Sequence, residues 1–165
     1  MTIFTYYCDL FQHGEQLEED PNKHVYYMHC ISADLAMGAG IAVPFNNKFK
    51  IREQFDFVFE QGIITPDDIK SPNCIRTGRV LNLITKQRYW MKPSYADMTQ
   101  SLFESRHIID RIMMAGRAVD PEFNIHIVLP TIGCGLDKLK WNRVQQIIMD
   151  TFMGYPVEFH VCIKE

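Results

Sequence analysis

Two short runs of small residues have the makings of a ligand site. Met37-Gly38-Ala39-Gly40-Ile41-Ala42-Val43 follows a strand-like run, and Thr131-Ile132-Gly133-Cys134-Gly135-Leu136-Asp137 follows the apolar run ending at Leu129-Pro130. Small residues let backbone amides approach an anionic group closely, so each run suits a phosphate loop. Each also suits an ordinary tight turn. The first run lacks the third glycine of GxGxxG, and GxxxxGK[ST] occurs nowhere, which argues against a dinucleotide dehydrogenase and a P-loop enzyme. Two such loops at the carboxyl ends of strands in one α/β sheet would grip a diphosphate from both sides.

Taken singly, the charged residues near these runs have plainer readings. Lys86, at the end of a strand-like run, reads as a solvated charge, and Asp137 as the cap of the helix that follows. Asp9 reads as a turn or helix cap. Cys134 has no histidine in a matching motif to activate it and is expected to pack. Tyr95 and Trp141 fall at helix starts, where an aromatic serves the core.

The elements that must position these residues alternate. Strand-like runs occur at Ile3 to Tyr7, Val25 to Ile31, Val80 to Thr85, Ile125 to Leu129 and Val157 to Ile163. Met98, Leu102, Ile109, Ile112 and Met113 recur at helical spacing, predicting a helix over Ser94 to Arg117 that stops at Gly116. A second helix is predicted from Trp141 to Phe152 and ended by Gly154, and a shorter one over Lys48 to Phe59. His13 to Lys23 reads as a polar surface loop, and Thr65 to Gly78 as a connection with little regular structure. The alternation predicts one α/β domain with helices on both faces of a largely parallel or mixed sheet.

Composition narrows the class. The chain has 165 residues, 47% hydrophobic and 22% charged, which is ordinary for a folded domain. A net charge of -3 gives no general attraction for a phosphate backbone. The start, MTIFTYYCDLF, has neither the basic residues nor the apolar run of a signal peptide, and no segment is apolar enough to span a bilayer. The expectation is a monomer without membrane attachment, cytoplasmic, or nuclear in a eukaryote. Five scattered cysteines suit reduced thiols, and without HExxH or a compact Cys/His spacing no metal is expected.

Several separated segments, in this order, resemble one family. His29-Cys30-Ile31-Ser32, Asp34, the run Met37 to Val43, Leu83-Ile84-Thr85-Lys86, Lys92-Pro93 with Tyr95, and Ile132-Gly133-Cys134-Gly135-Leu136-Asp137 with Trp141 look like macrodomains of the terminal ADP-ribose protein glycohydrolase type. The resemblance runs nearly end to end. It implies a three-layer α/β/α macrodomain with a mixed central sheet, binding ADP-ribose or an ADP-ribosylated macromolecule without a cofactor.

The resemblance also implies roles. Asp9, in Asp9-Leu10-Phe11, matches the acid that reads adenine, although Cys8 stands before it where many macrodomains have glycine. Leu10, Ser32, Met37, Gly38, Ala39, Gly40, Ile41, Thr131, Ile132, Gly133, Cys134, Gly135 and Leu136 match the ligand-binding segments. Lys86 matches a lysine nucleophile, whose amine burial would favour in its neutral form, and Asp137 the acid/base at the same distal ribose. The implied activity is hydrolysis of ADP-ribosyl adducts, with protein substrates favoured and ADP-ribosylated DNA second. The alternatives are an ADP-ribose-1''-phosphate phosphatase and a noncatalytic ADP-ribose reader.

Overall fold

Alternating β-branched and aromatic runs form six strands, and segments of 3.6-residue periodicity form the helices between them. The computed structural model describes residues 1–164. In chain order the elements are β1 (Thr2–Tyr7), α1 (Leu10–Glu18), β2 (His24–Ser32), α2 (Ala42–Phe49), α3 (Ile51–Glu60), a 3-10 turn (Pro66–Asp68), β3 (Asn73–Thr77), β4 (Val80–Lys86), α4 (Tyr95–Val119), β5 (Ile125–Leu129), α5 (Trp141–Thr151) and β6 (Val157–Ile163).

The strands form one sheet in the order β1-β6-β5-β2-β4-β3. The first five in that row pair parallel, and only β3 runs antiparallel, against β4. The sheet is therefore mixed, with the carboxyl ends of β1, β6, β5, β2 and β4 along one edge. Each face carries its own apolar layer. Leu81, Leu83, Ile127 and Phe159 pack with Met98, Leu102, Val144 and Ile148 of α4 and α5. Val25, Tyr27, Ile31 and Ile84 pack with Leu10, Phe45, Ile51 and Phe55 of α1 to α3. Burying both faces explains why the central strands read as continuous apolar runs.

Four sequence expectations need correction. The segment read as a loop over His13 to Lys23 contains most of α1, with Asp9 as its cap and Gly14 buried where α1 lies against the Tyr27 ring. The single helix expected over Lys48 to Phe59 is two, because Lys50 adopts the left-handed conformation (φ 53°) and breaks the path between α2 and α3. The connection over Thr65 to Gly78 contains β3, whose Cys74 and Ile75 are buried on opposite faces of the sheet. Gly116 does not end the long helix. It lies inside α4, where the helix passes so close to the Phe123 ring that a Cβ would collide with it.

Candidate functional site

The sheet's carboxyl edge gathers the residues on which the sequence focused attention. Lys86 is the last residue of β4, and the ladder between β2 and β4 is irregular beside it, so that Ser32 rather than Ala33 aligns with Lys86. The Ala33 N–H donates to the Lys86 carbonyl at 2.9 Å and fixes this end of the strand. From the loop after β5, the Asp137 carboxylate accepts a hydrogen bond from Lys86 Nζ at 2.7 Å. Their side chains are only 15% and 11% exposed, so the pair is largely withdrawn from water. Asp137 is not a helix cap: α5 starts after Lys140 and has no side-chain cap bond.

The two glycine loops meet. A Cβ on Gly40 would lie 3.3 Å from a methyl of Leu136, which places the loop after β2 against the loop after β5. Lys92 Nζ donates to the Leu136 carbonyl at 2.6 Å and draws the segment after β4 onto the same loop. Gly133 is needed as glycine twice over, by its φ of 73° and by Met98 and Leu139, which a Cβ would meet at 2.8 and 3.0 Å. Helix α2 follows Gly40 closely and its N-cap Ile41 supplies no side-chain cap bond. The first turn of α2 has few donors to spare, since the Val43 N–H donates to the Gly40 carbonyl at 3.3 Å, the Phe45 N–H to the Ile41 carbonyl at 3.2 Å, and Pro44 has none, whereas α1 and α4 are capped by Asp9 and Ser94.

Not every residue of these runs presents a side chain to the crevice. Met37 and Ile132 are buried in the two apolar layers, whereas Gly38, Ala39, Gly40, Ile41, Gly135 and Leu136 are exposed and Thr131, Gly133 and Cys134 are half-buried. Cys134 donates weakly to the Ile132 carbonyl at 3.4 Å, and burial raises its thiol to about 11, so it stays protonated and packs.

Sequence reasoning assigned Asp34 no task, yet it ties two loops together. Its carboxylate accepts from the Ser32 hydroxyl, from the Ala36 N–H at 3.1 Å, and from the Tyr89 N–H at 2.9 Å, which lies just beyond Lys86. Burial would raise the Asp34 carboxyl, but these bonds and nearby Arg88 outweigh it and hold the group below its ordinary value. Ser32 itself is buried, with its hydroxyl committed to Asp34. The same loop holds Leu35 and Met37 at φ 56° and 43°, conformations that ordinary residues adopt only when surroundings enforce them. A short Asx-type turn at Asp34 was the available sequence signal; its reach to Tyr89 is a tertiary fact.

At the far end of the crevice, Asp9 caps α1, its Oδ1 accepting from the Gln12 N–H at 2.9 Å. This is the plainer role anticipated for it. The cap leaves Oδ2 without a hydrogen bond among the described residues, and Leu10 beside it is buried. Four strand spacings separate β1, which leads into Asp9, from β4, which ends in Lys86, or about 19 Å at about 4.8 Å each. The glycine loops of β5 and β2 lie between. That span suits an elongated ligand laid across the carboxyl edge, with an anionic portion at the glycine loops.

Comparison with known proteins shows the family. The chain is 35% identical over 136 residues to the ADP-ribose glycohydrolase OARD1 of Bos taurus, a match covering 81% of this chain and 78% of that protein. The chain belongs to the macrodomain family of ADP-ribose glycohydrolases. The human OARD1 is 33% identical over 135 residues, again covering 81% and 78%. Among solved structures, the macrodomain of Mycobacterium tuberculosis DarG superposes with a TM-score of 0.65 at 19% identity, covering 99% of this chain and 97% of that one. That of Thermus aquaticus DarG gives 0.62 at 19% identity, covering 98% and 97%. No family model matches the chain. This macrodomain accordingly has the three-layer α/β/α architecture that its motifs implied.

Proposed function

We propose that this macrodomain binds ADP-ribose along the crevice and hydrolyses ADP-ribosyl adducts through Lys86 and Asp137. The observation that carries the reading is their buried pair at 2.7 Å. Withdrawing two charges from water costs several kcal/mol per ion before their attraction is counted, so such a pair is a weak stabilising device. As a chemical device it is apt, because the carboxylate gives the ammonium proton somewhere to go.

In this reading Asp137 takes a proton from Lys86, and the freed amine bonds to the anomeric carbon of the distal ribose. The bond to the modified group breaks as the new one forms, and the leaving group departs with its electron pair and the proton from Asp137. Water then cleaves the sugar from Lys86 and releases ADP-ribose. The exposed amides of both glycine loops hold the diphosphate, Asp9 Oδ2 reads the adenine amino group, and Asp34 holds the Lys86 segment in place. ADP-ribosylated protein is the favoured substrate and ADP-ribosylated DNA the second.

Borohydride added during turnover tests the step, because the ring-opened, imine-linked form of the lysine adduct is reducible. Sugar should be trapped on Lys86 by mass spectrometry, and Lys86→Ala should bind ADP-ribose without turning over substrate. Trapping at another residue, or full activity of Lys86→Ala, would remove Lys86 as nucleophile. Phosphate release from ADP-ribose-1''-phosphate without glycohydrolysis would make the protein a phosphatase, and binding without any turnover would make it a reader.

A further inference from the structure

A second cluster of chemically capable side chains lies under α1, away from the crevice. Strands β5 and β6 pair with His126 directly opposite Glu158, and His160 follows two residues along β6 on the same face. His126 Nδ1 lies 2.8 Å from Glu158 Oε2 and 3.1 Å from His160 Nε2, and His160 Nε2 lies 3.9 Å from the same oxygen. Two imidazole nitrogens and a carboxylate oxygen therefore converge on one point. In a tetrahedral zinc site with bonds of about 2.0–2.1 Å, ligand atoms stand about 3.3–3.4 Å apart, and the three separations straddle that value.

We propose that His126, Glu158 and His160 bind a divalent transition-metal ion of tetrahedral preference, zinc(II), with water as the fourth ligand. Two imidazoles and one carboxylate are borderline-to-hard donors that suit this ion, and the remaining position is reached past Glu158, the most exposed of the three at 34%. The surroundings orient the ligands. His13 Nε2 lies 3.2 Å from His160 Nδ1, so a hydrogen on that Nδ1 donates outward to His13 and turns the Nε2 lone pair inward. The Tyr6 ring lies nearly parallel to His160, 7° between planes and 5.7 Å between centres, and fixes its tilt.

Without metal, His126 Nδ1–H donates to Glu158. Binding requires only that this hydrogen move to Nε2 of the same ring, which leaves Nδ1 free to coordinate. The ion would cross-link β5 to β6 near their amino ends, remote from Lys86, which makes its task structural. Sequence spacing gave no sign of this site, since parallel pairing alone brings together His126 and His160, which are 34 residues apart.

The test uses the whole chain after chelator treatment. Zinc(II) titrated against a chromophoric competitor at pH 7.5 should bind at one equivalent with micromolar or tighter affinity and raise the melting temperature. Glu158→Gln and His160→Gln should each weaken binding at least about tenfold. Glu158→Gln preserves shape at a partly exposed position, so it keeps the test open if the buried His160 variant folds poorly. Cobalt(II) should give visible d–d bands without a thiolate charge-transfer band. Absence of stoichiometric binding, or affinity unchanged in Glu158→Gln, would overturn the proposal. So would a thiolate band lost in Cys8→Ser or Cys162→Ser, because Cys8, His13 and Cys162 form the neighbouring cluster of potential ligands.

Discussion

In Asp9 one carboxylate oxygen is committed to the Gln12 N–H, so truncating the side chain removes the α1 cap together with any base contact. Asp9→Ala should lower stability by about 1 kcal/mol through the lost cap. It should also weaken ADP-ribose binding by about 1–3 kcal/mol through the lost charge-assisted bond. Asp9→Ser separates the effects, since serine caps well but offers no carboxylate. Urea midpoints should fall only in the alanine variant, whereas calorimetry should find weaker binding in both. Unchanged affinity in Asp9→Ser would take Asp9 out of the adenine site. His29 makes a second prediction at this scale. Its ring is fully buried, stacked on Phe45 at 4.2 Å, with Nε2–H donated to Asn82 Oδ1 and Nδ1 without a partner. Burial lowers it from 6.5 to about 4, against a weaker opposing effect of the Asn82 bond. The folded state thus refuses a proton that the unfolded state accepts, and stability should fall as pH drops from 6.5 toward 4. The share due to His29 is on the order of 3 kcal/mol. His13, His126 and His160 are lowered too and add slope in the same direction. The isolating measurement is therefore the difference between wild type and His29→Gln. Urea midpoints taken from pH 7.5 to 4.5 should depend less steeply on pH in the variant, and equal slopes would refute the assignment.

At the scale of elements, Gly116 shows packing overruling propensity. In an exposed helix interior, replacing glycine by alanine gains about 1 kcal/mol. In α4 the added methyl would enter the Phe123 ring, which cannot swing away freely. The Phe123 N–H donates to the Asp120 carbonyl at 3.0 Å, its carbonyl accepts from Arg117 Nε at 3.1 Å, and its ring packs on His24 at 4.1 Å. Overpacking of this kind costs about 1–3 kcal/mol, so Gly116→Ala should destabilise, the reverse of the propensity effect. A raised thermal midpoint in that variant would show that the turn relaxes around the methyl. The same tension explains α1, where Gly14 and a run of acids look like a loop until the helix is set against Tyr27, whose hydroxyl donates to Glu18 at 3.1 Å.

For the whole molecule, the question is how an acidic chain with a formal charge of -3 receives a diphosphate-bearing substrate. The bond from Lys92 to the Leu136 carbonyl places the Lys86 to Lys92 segment beside the loop carrying Lys138 and Lys140, so positive charge gathers around the Lys86 end of the sheet edge. Such a local patch accepts one diphosphate without drawing in a long polyanion. Released ADP-ribose should therefore be greater from modified protein than from modified DNA at equal concentration, with modest dependence on salt. A preference for DNA that fades steeply as salt rises would reverse that ranking, because a steep slope measures many phosphate contacts.

Local chemistry made much of this protein legible. The runs at Ile125 to Leu129 and Val157 to Ile163 are strands with those bounds, and the helix from Trp141 begins where expected, because apolar periodicity and glycine signals are properties of neighbouring residues. The two glycine loops and the family motifs were legible for the same reason. Tertiary contact decided the rest. Its neighbours alone read Asp137 as a cap and only the family resemblance set it beside Lys86; the sheet order is what physically brings its loop there, 51 residues away in sequence. Asp34 acquired its reach to Tyr89 across 55 residues, and β3 exists because β4 offers it an edge to pair with. Spacing along a chain cannot encode these encounters, since each depends on which strands lie side by side.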